Sequence, residues 1–213
     1  MKKGVVISGG FVSDEENLAA VIDSDTIVVC ADSGYVFAKR NNIIPKALIG
    51  DFDSIDEMPD GVDFEIISHK VEKDESDTQL CIDYLISKGV TEIFVYGALG
   101  GKRFDHTFAN IQLLEYGIDK GVRIVIKDRN TEIFLVKNGS VEIHGCANEY
   151  LSVFALNRAE NVSYTGLKYK LENAVIESGV PYGLSNVMLK DTATVSVENG
   201  TLLIIHTGGD DVG

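Results

Sequence analysis

Short apolar runs alternate with longer amphipathic segments from Lys3 to Lys127, and this alternation constrains the fold more than any other feature. The runs predicted as strands are Lys3–Ser8, Thr26–Ala31, Ala47–Ile49, Phe64–Ser68, Thr91–Gly97 and Arg123–Lys127. The segments predicted as helices are Ser13–Ile22, Gly34–Asn41, Asp77–Lys88 and Arg103–Tyr116. Strands that alternate with helices form βαβ units, so we predict an α/β domain with a mainly parallel sheet.

Two helix boundaries are predicted from individual residues. Ser76 and Gln79 have the spacing of a capping box, so a helix is expected to begin directly after Ser76. Gly117 is expected to end the helix that begins near Arg103, because glycine is a common helix terminator.

The pattern changes from Thr131 onward, where short strand-like runs separated by turn residues replace the helix-length segments. These runs are Glu132–Val136, Ser140–His144, Glu149–Leu156, Asn161–Thr165, Lys168–Leu171, Ala174–Ser178, Ala193–Glu198 and Thr201–His206. Asn138-Gly139 and Asn199-Gly200 each lie between two runs, and Asn-Gly is the strongest short-range signal of a β-hairpin. We therefore predict an antiparallel β-sandwich over residues 129–213, following the α/β domain over residues 1–128.

The composition excludes several classes of protein. A net charge of −14 and a pI near 4.6 disfavour binding to nucleic acid or to an anionic membrane surface. No apolar run approaches the ~18 residues that a membrane helix needs. Cys30, Cys81 and Cys146 are odd in number and far apart, which predicts a reducing, cytoplasmic location. Nucleotide binding stays open, because a metal ion can bridge carboxylates to phosphates.

Two carboxylates follow a predicted strand in the segment Gly50-Asp51-Phe52-Asp53-Ser54. Gly50 permits close approach of the backbone, and Asp51 and Asp53 can converge on one metal ion. A solvated Asx turn would use the same residues without a metal. The segment alone therefore leaves a metal site and a polar turn as alternatives.

A second acidic segment, Lys73-Asp74-Glu75-Ser76-Asp77-Thr78, precedes a predicted helix. The helix dipole explains one acid there, but three acids repel one another unless a positive charge lies among them. Asp32 follows another strand, and the carboxyl ends of parallel strands share one edge of the sheet. Together with Asp51 and Asp53, these acids favour a Mg²⁺ pocket.

Glycines leave the backbone bare at two strand ends. From Gly97 to His106 the chain passes through a glycine-rich turn into a helix, where amides suit phosphate oxygens and Lys102 and Arg103 add positive charge. Gly9-Gly10 offers a second bare patch after the first strand. Tight turns would also explain both glycine pairs, and neither segment matches a Walker A or a dinucleotide-binding motif.

Two further pairs of polar residues stand out. His106 and Asn110 share a face of the predicted helix, where His106 is either a base, a phosphate donor or a structural partner of Asp105. In the second half, Ser185 and Asn186 offer short hydrogen-bonding side chains that suit recognition of a small polar ring. A plain loop before a strand is the alternative interpretation of that segment.

Taken together, these motifs resemble the thiamine pyrophosphokinase family. The segments that carry the resemblance are Cys30-Ala31-Asp32-Ser33-Gly34, Gly50-Asp51-Phe52-Asp53-Ser54, Lys73-Asp74-Glu75-Ser76-Asp77, Gly100-Gly101-Lys102-Arg103-Phe104-Asp105-His106 with Asn110, Gly166-Leu167-Lys168-Tyr169 and Gly183-Leu184-Ser185-Asn186. The resemblance implies a nucleotide-binding α/β domain, a β-sandwich that binds thiamine, and a homodimer. It also implies transfer of diphosphate from ATP to thiamine, which gives thiamine diphosphate and AMP.

The resemblance assigns expected roles to individual residues. The expected catalytic residues are Asp51, Asp53, Asp77, Arg103 and Asp105, of which the three at 51, 53 and 77 would hold Mg²⁺. Motifs and resemblance together give the expected nucleotide-binding residues as Gly9, Gly10, Asp32, Asp74, Lys102, His106 and Asn110. The expected thiamine-binding residues are Ser185 and Asn186. Arg103 would meet the phosphates, and Asp105 would orient Arg103 or the thiamine hydroxyl.

Two positions depart from the family's pattern. Ser33 stands where the family usually has glycine. Some members stack the thiamine ring on a tryptophan in the last strand, whereas this chain has no Trp and has Ile204 near that position. Stacking must then come from another aromatic side chain, or be replaced by aliphatic packing around Ile204.

Two other functions fit the same motifs. The acceptor could be another hydroxymethyl heterocycle, such as a pterin, with the Ser185-Asn186 segment deciding between the acceptors. The chain could instead be a nucleotide-binding sensor without turnover, which is disfavoured because every acidic position of the expected site is present.

Overall fold

The computed structural model describes residues 1–12, 15–55, 58–70, 74–100 and 103–208, and for residues 15–17 the backbone only. The chain divides into two compact units, Met1–Arg129 and Asn130–Gly213. None of the helices in the described ranges combines the length and hydropathy needed to cross a bilayer.

The first unit is built on a parallel sheet of six described strands. These are β1 (Lys3–Ile7), β2 (Ile27–Ala31), β3 (Ala47–Gly50), β4 (Glu65–Ser68), β5 (Glu92–Tyr96) and β6 (Arg123–Asp128). Their spatial order is β6-β5-β1-β2-β3-β4, and every adjacent pair is parallel. The predicted parallel sheet is therefore confirmed.

The order of the strands reverses at β1. The chain runs outward from β1 through β2, β3 and β4, and then returns to the other side of β1 to form β5 and β6. Central strands are apolar on both faces, as Val5, Val6 and Ile7 are fully buried. Open parallel sheets bind ligands beyond the carboxyl ends of the strands at such a reversal, which directs attention to the ends of β1 and β5.

The described helices of this unit are α1 (Glu15–Val21), α2 (Gly34–Arg40), α3 (Asp77–Ser87) and α4 (Phe104–Asp119). The predicted start of α3 is confirmed, because the Ser76 hydroxyl accepts a hydrogen bond from the Gln79 N–H at 3.2 Å. The predicted end of α4 at Gly117 is wrong, since the helix continues to Asp119. A Cβ at Gly117 would lie 2.6 Å from Ile124 Cδ1, so this glycine allows α4 to pack closely on β6.

The second unit consists of antiparallel strands, which confirms that part of the prediction. They are β7 (Thr131–His144), β8 (Tyr150–Ala155), β9 (Ala159–Thr165), β10 (Leu171–Ile176), β11 (Gly183–Val187) and β12 (Thr192–Thr207). β7 and β12 pair along their whole length, while the first part of β12 also pairs with β9 and its last part with β8. β10 extends the array beyond β9, and β11 extends it beyond β8. The long strands β7 and β12 therefore belong to two groups of strands, one with β9 and β10 and the other with β8 and β11.

The two Asn-Gly pairs do not form hairpin turns, contrary to the prediction. Asn138-Gly139 lies within β7 and Asn199-Gly200 lies within β12, on facing stretches of these two strands. The Gly200 N–H donates to Asn138 Oδ1 at 2.9 Å, and both residues have positive φ, 125° at Gly200 and 47° at Asn138. Asn and Gly adopt positive φ more readily than other residues. Here they form an irregularity in the pairing of β7 with β12, at the point where the other partner of β12 changes from β9 to β8.

The predicted strand over Lys168–Leu171 is also wrong, because β10 begins only at Leu171. The Tyr169 N–H donates to the Asn186 side chain, and the Tyr169 carbonyl accepts from the same amide. The Asn186 side chain therefore bonds the backbone N–H and C=O of Tyr169, which are then not available for pairing with a neighbouring strand.

Candidate functional site

The ends of β1 and β5 meet through their glycine turns. The Gly10 N–H donates to the Gly97 carbonyl at 3.0 Å, and a Cβ at Gly10 would lie only 2.3 Å from that oxygen. A Cβ at Gly97, where φ is 67°, would lie 2.7 Å from the Ser8 carbonyl oxygen. Because the Gly10 amide is already bonded, this turn supplies a close-packed surface at the strand reversal rather than a free donor at residue 10.

Asp32 lies next to this turn, at the end of β2. A Cβ at Gly34 would lie 2.1 Å from the Ile7 carbonyl oxygen, so the start of α2 presses directly on the end of β1. Asp32 lies in the short connection between β2 and α2, where it has a left-handed backbone conformation with a φ of 46°. The Ser33 hydroxyl lies 3.5 Å from the Gly9 carbonyl oxygen, which places the unusual serine beside the first glycine turn.

Asp51 and Asp53 flank Phe52 in a tight polar turn after β3. Phe52 has a φ of 67°, an uncommon conformation for an aromatic residue. The Asp53 N–H donates to Asp51 Oδ1 at 3.2 Å, and the Ser54 hydroxyl donates to Asp53 Oδ1 at 2.8 Å. The turn therefore has the Asx geometry expected of one alternative, while both carboxylates keep further lone pairs for a ligand.

Three carboxylates converge at this edge of the sheet. Asp32, Asp51 and Asp53 each offer an oxygen, and these oxygens lie within 4.8 Å of one another. Asp32 Oδ1 is buried and has no hydrogen-bond partner among the described residues. Burial raises the pKa of Asp32, and the charges of Asp77 and Asp51 raise it further, against hydrogen bonds from Ser33 and Ser54. Clustered hard oxygens, one of them buried and without a partner, fit a divalent cation such as Mg²⁺.

Asp77 was expected to share the metal with Asp51 and Asp53, and the group of converging oxygens contains Asp32 instead. Asp77 is nevertheless close enough for its charge to act on Asp32. It begins α3, whose first turn is fixed to the end of β1 by a buried bond of 2.9 Å between the Thr78 and Ser8 hydroxyls. No motif in the sequence indicates this bond. Asp74 is exposed just before the helix.

Arg103 and Asp105 form an exposed ion pair at the start of α4. The Arg103 Nε lies 2.9 Å from Asp105 Oδ1, and Nη2 lies 2.5 Å from Oδ2. These hydrogen bonds lower the pKa of Asp105 to about 2. The carboxylate thus holds the guanidinium in one orientation, as expected for a residue that positions Arg103. Lys102, the other predicted phosphate contact, lies outside the described residues.

Helix α4 also holds the glycine-rich loop that precedes it. The Asn110 side-chain amide donates to the Ala98 carbonyl at 2.9 Å, and the Thr107 hydroxyl lies 3.4 Å from the Gly100 carbonyl oxygen. Asn110 therefore fixes the backbone at Ala98. The sequence predicted Asn110 as a nucleotide-binding residue and did not indicate this structural contact. His106 is exposed on the first turn, and its backbone N–H donates to the Arg103 carbonyl at 3.2 Å.

In the second unit, Ser185 and Asn186 differ in exposure. Ser185 is exposed with a φ of 55°, and its N–H donates to the Ser152 hydroxyl at 3.0 Å. Asn186 is 4% exposed, and its amide bonds the Tyr169 N–H at 2.9 Å and the Tyr169 carbonyl at 2.7 Å. Asn186 therefore fixes the Tyr169 loop.

A cavity of about 340 Å³ lies beside this segment. Its lining residues are Tyr164, Tyr169, Lys170, Leu171, Tyr182, Gly183, Leu184 and Asn186. Of these residues, only Asn186 had been predicted to bind a ligand, although Tyr169, Gly183 and Leu184 lie in motifs that carry the family resemblance. Ile204, around which aliphatic packing was the other expectation, is fully buried within the second unit.

Both units match models of a single protein family. The description "Thiamin pyrophosphokinase, catalytic domain" matches residues 18–126, and "Thiamin pyrophosphokinase, vitamin B1 binding domain" matches residues 140–202. A thiamine pyrophosphokinase of Bacillus subtilis is 30% identical over 97% of this chain and 99% of its own length. A thiamin pyrophosphokinase of Caenorhabditis elegans is 28% identical over 78% of this chain and 72% of its own.

Solved structures give the same result. The crystal structure of the Bacillus subtilis thiamine pyrophosphokinase has a TM-score of 0.87 at 27% identity, covering 97% of this chain and 99% of that one. The thiamin pyrophosphokinase of Geobacillus thermodenitrificans has a TM-score of 0.84 at 26% identity, with full coverage of both chains. From the converging carboxylates, the two family models and these full-length similarities, the chain belongs to the thiamine pyrophosphokinase family.

Proposed function

We propose that this chain transfers the diphosphate of ATP to the hydroxyl of thiamine, giving thiamine diphosphate and AMP. The observation that carries the proposal is the convergence of Asp32, Asp51 and Asp53 beyond the carboxyl ends of β2 and β3, in a member of this family. Diphosphoryl transfer needs positioning and charge neutralisation more than a protein nucleophile, and this edge of the sheet is rich in ligand oxygens.

Asp32, Asp51 and Asp53 would hold Mg²⁺, and Asp77 remains an expected ligand beside them. The bound ion would supply charge neutralisation on the phosphate oxygens of ATP. Arg103, held by Asp105, would add positive charge against the phosphates as the thiamine hydroxyl attacks the β-phosphorus and AMP leaves.

The thiamine site is proposed to lie in the second unit and to use Ser185. The exposed Ser185 hydroxyl is free to contact a ligand, whereas the buried Asn186 amide is engaged with Tyr169. In this proposal Asn186 shapes the site through the loop that it holds.

Product analysis tests the reaction. ATP and thiamine with Mg²⁺ should give AMP and thiamine diphosphate, with no AMP when thiamine is omitted. ADP as the product would refute the proposed reaction, and AMP released with a hydroxymethyl pterin but not with thiamine would favour the pterin alternative. Nucleotide binding without any turnover would favour the sensor alternative.

A homodimer in the cytoplasm is part of the same proposal. The exposed apolar side chains of Val175, Val180 and Leu189 in the second unit support burial against a second copy. Sedimentation at micromolar concentration should give about twice 23.1 kDa, and a fully active monomer would contradict the dimer. Cys30, Cys81 and Cys146 all lie within the described residues and form no disulfide there, which supports a reducing compartment.

A further inference from the structure

The first turn of α3 is attached to the protein interior by a polar residue. The buried side chains of this helix, spaced as on a face that packs against a core, are Thr78, Cys81, Ile82 and Leu85. Thr78 is the one hydroxyl on this otherwise apolar face. Among the described residues 74–80, Thr78 alone is buried. The placement of the turn that carries Asp77 therefore depends on the contacts of Thr78.

The partner of Thr78 is Ser8, at the end of β1. The two hydroxyl oxygens lie 2.9 Å apart, and the residues are 8% and 3% exposed. Ser8 is itself held in place, because its N–H donates to the Tyr96 carbonyl at 2.8 Å. A Cβ at Gly34 would lie 2.9 Å from the Ser8 carbonyl oxygen and one at Gly97 would lie 2.7 Å from it, so the surrounding backbone packs tightly on this residue. The hydroxyl bond thus attaches the start of α3 to a rigid point of the sheet.

Stability alone does not explain a pair of hydroxyls at this position. Two apolar side chains of the same shape would stabilise the fold about as well, because both hydroxyls are removed from water on folding. Cys81, Ile82 and Leu85 on the same face are fully buried, so an apolar residue at position 78 would continue the pattern. A hydrogen bond adds a defined distance and direction between its two partners, which apolar packing specifies less closely.

The residue that this bond places is Asp77, directly before Thr78 in the chain. Asp77 is not among the three acids whose oxygens lie within 4.8 Å of one another, which are Asp32, Asp51 and Asp53. It is still close enough for its charge to raise the pKa of Asp32. Mg²⁺ demands ligand distances of about 2.0–2.1 Å, and residues that orient a metal ligand typically change metal affinity by about 10–100-fold. The position at which α3 begins therefore bears on how well Asp77 can reach a cation at the cluster.

We propose that Ser8 and Thr78 are positioning residues that set the distance of Asp77 from the cation site, and thereby the affinity of that site for a divalent cation. The inference rests on the proposed function, in which Asp77 is an expected ligand. It adds two residues that act through Asp77 rather than on the cation or the substrates.

A double-variant cycle separates positioning from stability. Thr78→Val keeps the shape of the side chain and leaves the Ser8 hydroxyl without its partner, and Ser8→Ala does the converse. Each single variant should have a lower Tm, whereas the double variant should recover most of that loss because no hydroxyl is left alone. Calorimetric titration of the metal-free protein with Mn²⁺ should show binding about threefold to tenfold weaker in both single variants and equally weak in the double variant.

Three control variants make the test specific. Thr78→Ser keeps a hydroxyl and should retain the wild-type Mn²⁺ affinity. Leu85→Val shortens a fully buried side chain on the same face, about two turns after Asp77, and should lower Tm without weakening Mn²⁺ binding. In an Asp77→Asn background, Thr78→Val should cause no further loss of Mn²⁺ affinity, because the effect passes through Asp77.

Three results would overturn the inference. The first is an unchanged Mn²⁺ affinity in Ser8→Ala, Thr78→Val and the double variant, as a merely structural role predicts. The second is an undiminished effect of Thr78→Val in the Asp77→Asn background. The third is a wild-type protein that binds no Mn²⁺, which would also remove the metal from the proposed function.

Turnover distinguishes this inference from the proposed function. If AMP is formed, the Mg²⁺ concentration for half-maximal rate should rise in Thr78→Val by the same factor as the Mn²⁺ dissociation constant, while KM for thiamine stays unchanged. If the wild-type protein formed no AMP with thiamine, the proposed function would fail, and the Mn²⁺ titrations would still decide the role of Ser8 and Thr78.

Discussion

Replacing Asp53 by asparagine should stabilise the protein in the absence of metal and abolish its stabilisation by Mg²⁺. Asp53→Asn keeps the shape of the side chain and an oxygen that can accept the Ser54 hydroxyl bond. It removes one of three negative charges whose oxygens lie within 4.8 Å of one another. Without a cation the three charges repel one another, so the removal of one of them favours the folded state.

The size of this effect follows from the geometry. At 4.8 Å, two unit charges interact by about 0.9 kcal/mol in water and about 3.5 kcal/mol at an effective dielectric constant near 20. Asp53 is exposed, so the lower value applies best, and the substitution removes its repulsion with both Asp32 and Asp51. The expected gain is about 1–2 kcal/mol, which corresponds to a rise in Tm of about 2–8 °C for a chain of this length.

Thermal unfolding with EDTA and with millimolar Mg²⁺ measures both parts of the prediction. The wild-type protein should gain Tm with Mg²⁺, as linkage requires, whereas Asp53→Asn should start higher, gain little and lose turnover. Asp60→Asn is the matched control, because it removes the same charge from an exposed turn, where Asp60 accepts the Gly61 N–H. A lower Tm of Asp53→Asn in EDTA, or an equal gain with Mg²⁺ in both proteins, would refute the reasoning.

Three further predictions concern other parts of the chain. The Tyr84 hydroxyl donates to Glu65 at 2.8 Å, and burial together with Glu65 raises the pKa of Tyr84 to about 12. The folded state therefore keeps a proton that the unfolded chain releases above pH ~10, so stability should fall from pH ~10 to ~12, and less steeply in Tyr84→Phe, as urea unfolding would measure. Gly200→Ala should cost about 1–3 kcal/mol of unfolding free energy, because φ is 125° and the new Cβ would lie 2.7 Å from Ala159 Cα; a change below about 0.5 kcal/mol would argue against this bend. Ser185→Ala removes a neutral hydroxyl and should raise KM for thiamine severalfold with KM for ATP unchanged, and equal damage to both constants would contradict the assignment.

The strands of the first unit could be predicted because their sequence signal is local. Buried parallel strands are short runs of β-branched and other apolar residues, and the observed strands differ from the predicted ones by at most one residue at each end. Gly117 was misjudged because glycine usually ends a helix, whereas here the close approach of Ile124 requires it inside one. The Asn-Gly pairs failed for a related reason, since a tight hairpin and a bend between facing strands need the same backbone freedom.

The acidic part of the site was accessible for a topological reason. Acids that follow parallel strands arrive at one edge of the sheet, so Asp32, Asp51 and Asp53 could be grouped before any distance was known. Which three oxygens come closest depends on the left-handed conformations of Asp32 and Phe52, and these have no clear sequence signal. The bond between Ser8 and Thr78 joins residues far apart in the chain, so only the fold reveals it.

The two units provide opposite electrostatic environments for two different kinds of ligand. The first gathers carboxylates, including a buried oxygen without a partner, and such a cluster is stabilised by a cation and, through it, by phosphate. The second has a cavity of tyrosines and leucines with a lysine in its wall, where a neutral ring with hydrogen-bonding atoms is favoured over a charged one. The carboxylate cluster of the first unit and the lysine in the cavity wall of the second therefore favour ligands of different charge.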